Sequence, residues 1–585
     1  MSARTLALTV GLSLALSPSY AVPPLAMATT AQAQGKPQEA SRHPDVVCDL
    51  HETRRREAMR SRQGPVYESA SPVMVMPTAP TSPPPPPPPP PPTAKSSADA
   101  IAISGSRVIA PAPTDTERYD GEEVSGVQRV ADTPVSTFSV DVDTASYSNA
   151  RRFLKDGDLP PSASVRTEEF LNYFRYDYPA PTDRAQPFSV AMDAARTPWN
   201  ANSRLLRIGI RGYDLPREER PVANLTFLVD VSGSMSRGDK IDLVRYSLKQ
   251  VAENLRPDDR VSIVVYAGRT GLVLKPTADK AAVAAALDCM RAGGSTAGAA
   301  GLELAYRTAR SSFVEGGINR VILATDGDFN VGITDKDRLK DFIEQQRDSG
   351  ITLTVLGYGR GNLNDAMMET LTNYGNGNYG YVDSELEADK LLRQELSSTL
   401  FTIASDVKIQ VEFNPAHVAE YRLIGYENRA LREEDFDNDT VDAGDIGAGH
   451  QVTALYELVL AGDQGWMPER RYATAPTTSG DPGQEAAFVK LRYKLPGEAR
   501  SSLIERPITV RTLERARTPE GDFAFQAAVA AFAQKLRGDT LLGSYDHGDI
   551  EALAGDQRGA SAWRREFVEL VGLAKAHGGV TEGTR

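Results

Sequence analysis

The stretch Leu225-Thr226-Phe227-Leu228-Val229-Asp230-Val231-Ser232-Gly233-Ser234-Met235 decides how the rest of the chain is read. Residues 225–229 form a nearly continuous apolar run, as expected of a parallel-sheet strand covered on both faces. The run ends in an aspartate, followed by two serines. Beyond it, Ile241, Val244, Leu248, Val251 and Leu255 recur at spacings of three and four, the apolar stripe of an amphipathic helix. A buried strand that delivers an acidic, hydroxyl-bearing turn and then a helix is the opening unit of an α/β sheet.

The alternation continues C-terminally. Strands are predicted at 260–267 and 271–276, Ala-rich helices at 281–290 and 299–311, and a strand at 321–326. A helix through Leu339, Phe342 and Ile343, a strand at 351–359, a helix at 367–372 and a last strand at 379–382 follow. Repeated β-α units make a mostly parallel, doubly wound sheet, here spanning 221–403. Residues 137–220 read as a small α+β region with alternating strands at 187–196 and 204–215. Residues 404–585 read as β-rich, closing in helices marked by Phe525, Val529, Phe532 and Leu536, then by Trp563, Phe567, Leu570 and Val571. Strands before Pro221 are expected to pair with strands after Thr402, so that the α/β module loops out of a β-rich companion as an inserted domain.

At 585 residues the chain is too long for one ordinary core. Its 39 prolines concentrate before Ser136, so residues 22–136 are expected to be a disordered Pro-rich leader. The unbroken proline run at 83–92 predicts a polyproline II rod about 31 Å long. It reads as a stiff spacer, with docking to an aromatic groove as the alternative. Residues 1–21 carry one cation, Arg4, an apolar stretch at 6–16, then Ser19 and Ala21, the order of a secretory signal peptide. The apolar stretch is shorter than a membrane-spanning helix needs. Export to the periplasm or cell envelope is expected, with no transmembrane segment after cleavage; an uncleaved anchor is the alternative.

A net charge of −13 argues against nucleic acid as a partner. Cys48 falls in the leader and Cys289 in an Ala-rich helical pattern. They imply no disulfide framework and cannot form a Cys-based zinc site, and Cys289 reads as a buried free thiol. Asp141, Asp143 and Ser146 allow a second cation site, but capping of the following helix is the preferred reading.

In open α/β sheets, ligands bind beyond the carboxyl ends of the strands. Strand 225–229 runs into Asp230, Ser232 and Ser234, and strand 321–325 runs into Asp326. Between them the loop Gly293-Gly294-Ser295-Thr296-Ala297-Gly298 precedes a helix on the same edge. Two carboxylates and three hydroxyls, Asp230, Asp326, Ser232, Ser234 and Thr296, make an all-oxygen set suited to a hard cation and lacking the imidazole or thiolate that zinc or copper prefers. With two formal charges the set leaves a divalent ion under-liganded, open to a carboxylate from another molecule. Taken singly, each piece has an ordinary explanation as a helix cap or turn; their order along the chain and their placement at strand ends favour the metal.

Asp230-Val231-Ser232-Gly233-Ser234-Met235, preceded by Leu225-Thr226-Phe227-Leu228-Val229, resembles the first motif of von Willebrand factor type A domains. Thr296 matches that family's threonine and Asp326 its last aspartate. The resemblance implies a metal-ion-dependent adhesion site in which Mg2+ (or Mn2+) bridges to an Asp or Glu of a protein partner. The flanking segments resemble those of bacterial exported proteins of the YfbK-like kind.

No enzyme is expected. His43, His51, His417, His450, His547 and His577 show no H-E-x-x-H spacing. The serines of the first motif lack a G-x-S-x-G register, and no phosphate-binding loop stands out. Two alternatives to adhesion remain: a structural envelope protein with a vestigial site, and an assembly factor for a metal-dependent complex.

Overall fold

A computed structural model describes residues 43–48 and 116–582, apart from 217, 295–297, 328–335, 395–397, 399, 469, 471–483 and 556–559. Four strands precede the α/β module: β1 (Gln128–Arg129), β2 (Val135–Ser139), β3 (Phe188–Arg196) and β4 (Ser203–Gly212). Helices Ala145–Asp156 and Thr167–Asn172 lie between β2 and β3. The module contributes β5 (Ala223–Asp230), β6 (Arg260–Tyr266), β7 (Thr270–Thr277), β8 (Ile318–Thr325), β9 (Ile351–Tyr358) and β10 (Tyr379–Val382). After it come β11 (Thr402–Phe413), β12 (Val418–Ile424), β13 (Ala430–Leu431), β14 (Gly444–Gly447), β15 (Gln451–Leu460), β16 (Glu485–Lys494) and β17 (Ser501–Thr509).

The module's sheet has the order β10-β9-β8-β5-β6-β7. It is parallel except for the antiparallel pair β6 and β7, the expected doubly wound architecture. β5 is central, between β6 and β8, and every one of its positions is buried. Successive side chains alternate faces. Phe227 and Val229 share a core with Val244, Leu248 and Val251 of helix Leu243–Glu253, whereas Leu228 joins Leu302 and Ala305 of helix Gly298–Ser311 on the other face.

The companion is built from both flanks. β2 pairs with β11, β1 with β12, and β4 with β15, all antiparallel. Two sheets result, β1-β12-β15-β4-β3 and β13-β2-β11-β16-β17, with β14 added to β11. Aromatic side chains fill the space between them: the Phe413 ring lies 4.4 Å from that of Tyr421 and 5.3 Å from that of Tyr456. The C-terminal helices Gly521–Arg537 and Ala562–Glu582 pack edge-on through Phe525 and Phe567, 5.2 Å apart.

Three expectations need correction. The leader is not disordered throughout to residue 136. Thr116 and Arg118 donate backbone hydrogen bonds to Gly361 and Leu363, and β1 and β2 begin inside the expected leader. Residues 43–48 lie along β7, the edge of the module's sheet, where Val47 donates to the Val273 carbonyl at 3.0 Å and Val46 bridges Leu274. Hydrophobic pattern cannot foresee such additions, because edge pairing is made by backbone groups that every residue carries. The expected signal peptide and the proline run lie outside the described residues.

The second correction concerns the cysteines. Cys48 and Cys289 form a disulfide across a sequence separation of 241, so Cys289 is not a free thiol. In the folded chain both cysteines are expected to resist alkylation until a reductant is added, which mass spectrometry of iodoacetamide-treated protein checks. Thirdly, Asp141 and Asp143 do not cap the next helix. That helix is preceded by Thr144 at its N-cap position, with no side-chain cap bond. Asp143 instead accepts the Tyr379 N–H of β10 at 2.8 Å, and both carboxylates face Arg429, at 3.2 and 3.6 Å. Ser146 donates its hydroxyl to the Ser164 carbonyl. The Asp143–Tyr379 bond fastens the companion to the module.

Candidate functional site

β5 and β8 run parallel in register, Val229 beside Ala324, so Asp230 and Asp326 emerge from neighbouring strands at the same edge of the sheet. Both are buried. Asp230 is held from three sides: the Ser232 N–H donates to its Oδ1 at 2.8 Å, and the Tyr266 and Thr325 hydroxyls donate to its Oδ2 at 3.1 and 3.3 Å. Burial pushes its carboxyl up to about 6, against the hydrogen bonds from Ser232 and with help from the negative charge of Asp326.

The Ser232 and Ser234 hydroxyls lie 2.9 Å apart, so the first motif turns both oxygens to one place. The loop that leads to Thr296 is tied to this turn. Gly293 donates its N–H to the Val231 carbonyl at 2.7 Å, and the Gly233 N–H donates to the Gly294 carbonyl at 2.9 Å. Thr296 itself lies outside the described residues. Asp326 is followed by Gly327 at φ +97°, where a Cβ would sit 2.4 Å from the Asn362 carbonyl oxygen, so the turn after β8 admits no side chain.

Among the described residues no group of three or more His, Cys, Asp or Glu is arranged to hold a metal. A cation at this edge would therefore lean on hydroxyl oxygens besides the two carboxylates, and the donor set matches a hard divalent ion. The sequence did not signal Lys240. Its Nζ lies 2.8 Å from Asp326 Oδ2, with both side chains almost wholly buried. A lysine beside an apolar helical stripe reads as solvent-facing, and no spacing rule says that its end will turn inward.

Comparison with known proteins identifies the domains that carry this edge. The von Willebrand factor type A domain model matches residues 224–394, a model described as von Willebrand factor matches 113–207, and one described as "Uncharacterized protein YfbK, C-terminal" matches 398–576. The chain is 44% identical over 480 residues to "Uncharacterized protein YfbK" of Escherichia coli (strain K12), covering 80% of this chain and 82% of that one. It is 22% identical over 274 residues to inter-alpha-trypsin inhibitor heavy chain H3 of Mesocricetus auratus, covering 43% of this chain and 30% of that protein. Among solved structures, a von Willebrand factor type A protein from Catenulispora acidiphila aligns over 65% of this chain and 88% of its own, with 16% identity and a TM-score of 0.37. No helix among the described residues is long and apolar enough to cross a membrane. The type A domain makes this a protein of the interaction or adhesion type, and the identity and mutual coverage with the Escherichia coli protein place the chain in the YfbK family.

Proposed function

We propose that the chain is an exported, non-enzymatic adhesion module that grips an acidic group of a protein partner through a divalent cation. Asp230, Asp326, Ser232, Ser234 and Thr296 would hold Mg2+ (or Mn2+), which when bound supplies a coordination position for a partner's Asp or Glu. The carrying observation is the arrival of Asp230 and Asp326 at the ends of adjacent parallel strands, beside a paired serine turn. Export to the periplasm or cell envelope is supported by the Cys48–Cys289 disulfide, since such bonds persist in oxidising compartments. A vestigial site has one observation in its favour, the ammonium of Lys240 on Asp326.

Isothermal titration of Mg2+ into the full-length chain tests the reading. A saturable heat is expected from the wild type and its loss in Asp230→Ala, with partner recovery from envelope extract lost in EDTA and in the same variant. Absence of heat from the wild type at every accessible Mg2+ concentration, both alone and with acetate present, would favour the vestigial alternative.

A further inference from the structure

We infer that Lys240 is a built-in counter-cation that makes metal binding depend on the arrival of an anionic ligand. This inference rests on the metal reading above and adds a residue to it. Lys240 sits in the short helical segment Gly238–Asp242, which runs directly into helix Leu243–Glu253. It is only 2% exposed.

The path of the side chain is a built feature of the fold. Gly359, just past β9, has φ +73°, and a Cβ there would lie 2.3 Å from both Cγ and Cε of Lys240. The Gly359 carbonyl is in turn fixed by the Tyr381 hydroxyl at 2.7 Å. A left-handed glycine thus leaves the channel through which the lysine stem reaches Asp326. Burying an ammonium costs several kcal/mol unless it is paired, and here its partner is one of the two carboxylates that the cation needs.

Charge arithmetic gives the consequence. Asp230, Asp326 and Lys240 together carry a formal charge of −1 when both carboxylates are ionised, so a divalent ion leaves the site at +1 and one carboxylate from a partner returns it to neutrality. Without Lys240 the same sequence runs from −2 through 0 to −1. In a buried site these differences weigh heavily, because low polarity strengthens every charge interaction. Lys240 therefore disfavours the cation alone and favours the cation together with an acid. Such a site binds the metal weakly on its own and tightly once a partner supplies its carboxylate.

The test compares full-length wild type, Lys240→Met and Lys240→Arg by Mg2+ calorimetry, with and without free acetate as the anionic probe, using Asp230→Ala as the control. Lys240→Met is expected to bind Mg2+ alone about tenfold or more tightly than the wild type and to lose most of the tightening that acetate gives the wild type. Lys240→Arg, which keeps the charge, should behave like the wild type. If Lys240→Met is unstable because Asp326 is left buried and unpaired, its melting temperature in Mg2+ against EDTA provides the readout, with a larger Mg2+ stabilisation than in the wild type. Equal Mg2+ affinity and equal Mg2+ stabilisation in wild type and Lys240→Met overturn the inference while leaving the metal site standing. Mg2+ binding by neither protein sinks the metal reading and this inference together. Binding by Lys240→Met alone supports both.

Discussion

Arg151→Ala is expected to destabilise the chain by about 3–5 kcal/mol, the usual cost of breaking a buried ion pair by removing one partner. The Arg151 side chain is fully buried in helix Ala145–Asp156 and joins three parts of the molecule. Its Nε lies 2.8 Å from Asp383 and its Nη2 2.8 Å from Glu387, both in the segment after β10. Its Nη1 meets Glu566 of the C-terminal helix at 3.2 Å and the Tyr173 hydroxyl at 2.8 Å. Alanine would leave Glu387, itself fully buried, without its guanidinium. Urea unfolding should show the midpoint falling sharply. Arg184→Ala, which breaks the half-exposed pair with Glu219, should leave the midpoint nearly unchanged. Similar small shifts in both variants would show that the Arg151 cluster does not hold the three parts together.

Glu168 carries the second large effect, and its sign is opposite to that of an ordinary paired carboxylate. One oxygen accepts the Tyr426 N–H at 2.9 Å, while the other is buried with no hydrogen-bond partner. Burial, aided by the negative charges of Glu427 and Asp141, pushes the carboxyl up to about 7 from an ordinary 4.5. Below the unfolded value both states are protonated, and Glu168 contributes no pH dependence. Between the two values the folded state holds a proton that the unfolded state has released, so stability falls as pH rises. Above the folded value the loss is complete, about 3 kcal/mol in all. Urea midpoints measured from about pH 4 to about pH 8, a range that spans this window, should therefore fall less steeply in Glu168→Gln than in the wild type. Parallel curves for the two proteins would show that another group is responsible.

The α/β module was legible because its strands are buried on both faces and its helices carry stripes, so each element announces itself locally. Asp230 and Asp326 could be placed on one edge because parallel strands share a direction. The inserted arrangement was readable from alternating strands on both flanks. β17 was not: Glu505, Arg506 and Pro507 interrupt its pattern, as an edge strand permits. Asp141 and Asp143 looked like caps because a following helix was the nearest use for them, whereas their partners, Tyr379 and Arg429, lie more than two hundred residues away in the chain. A similar separation, 241 residues, hid the Cys48–Cys289 bond, and one of 86 residues hid the approach of Lys240 to Asp326. Local periodicity carries no information about such meetings.

The insertion of the module between β4 and β11 also sets an order of assembly. Strand β2 emerges from any N-terminus-first synthesis long before β11, the strand it pairs with through Phe138 and Ile409. The guest's six strands, by contrast, are contiguous in the chain and pair only with one another in their sheet. Once closed, the guest brings its own entry and exit together: a Cβ on Gly212, at the end of β4, would lie 2.6 Å from the Ile403 side chain at the start of β11. Its folding thereby replaces a long floppy loop with a short rigid one and lowers the entropy that host pairing must overcome. The inserted unit is in this sense a scaffold for the very strands that interrupt themselves to accommodate it.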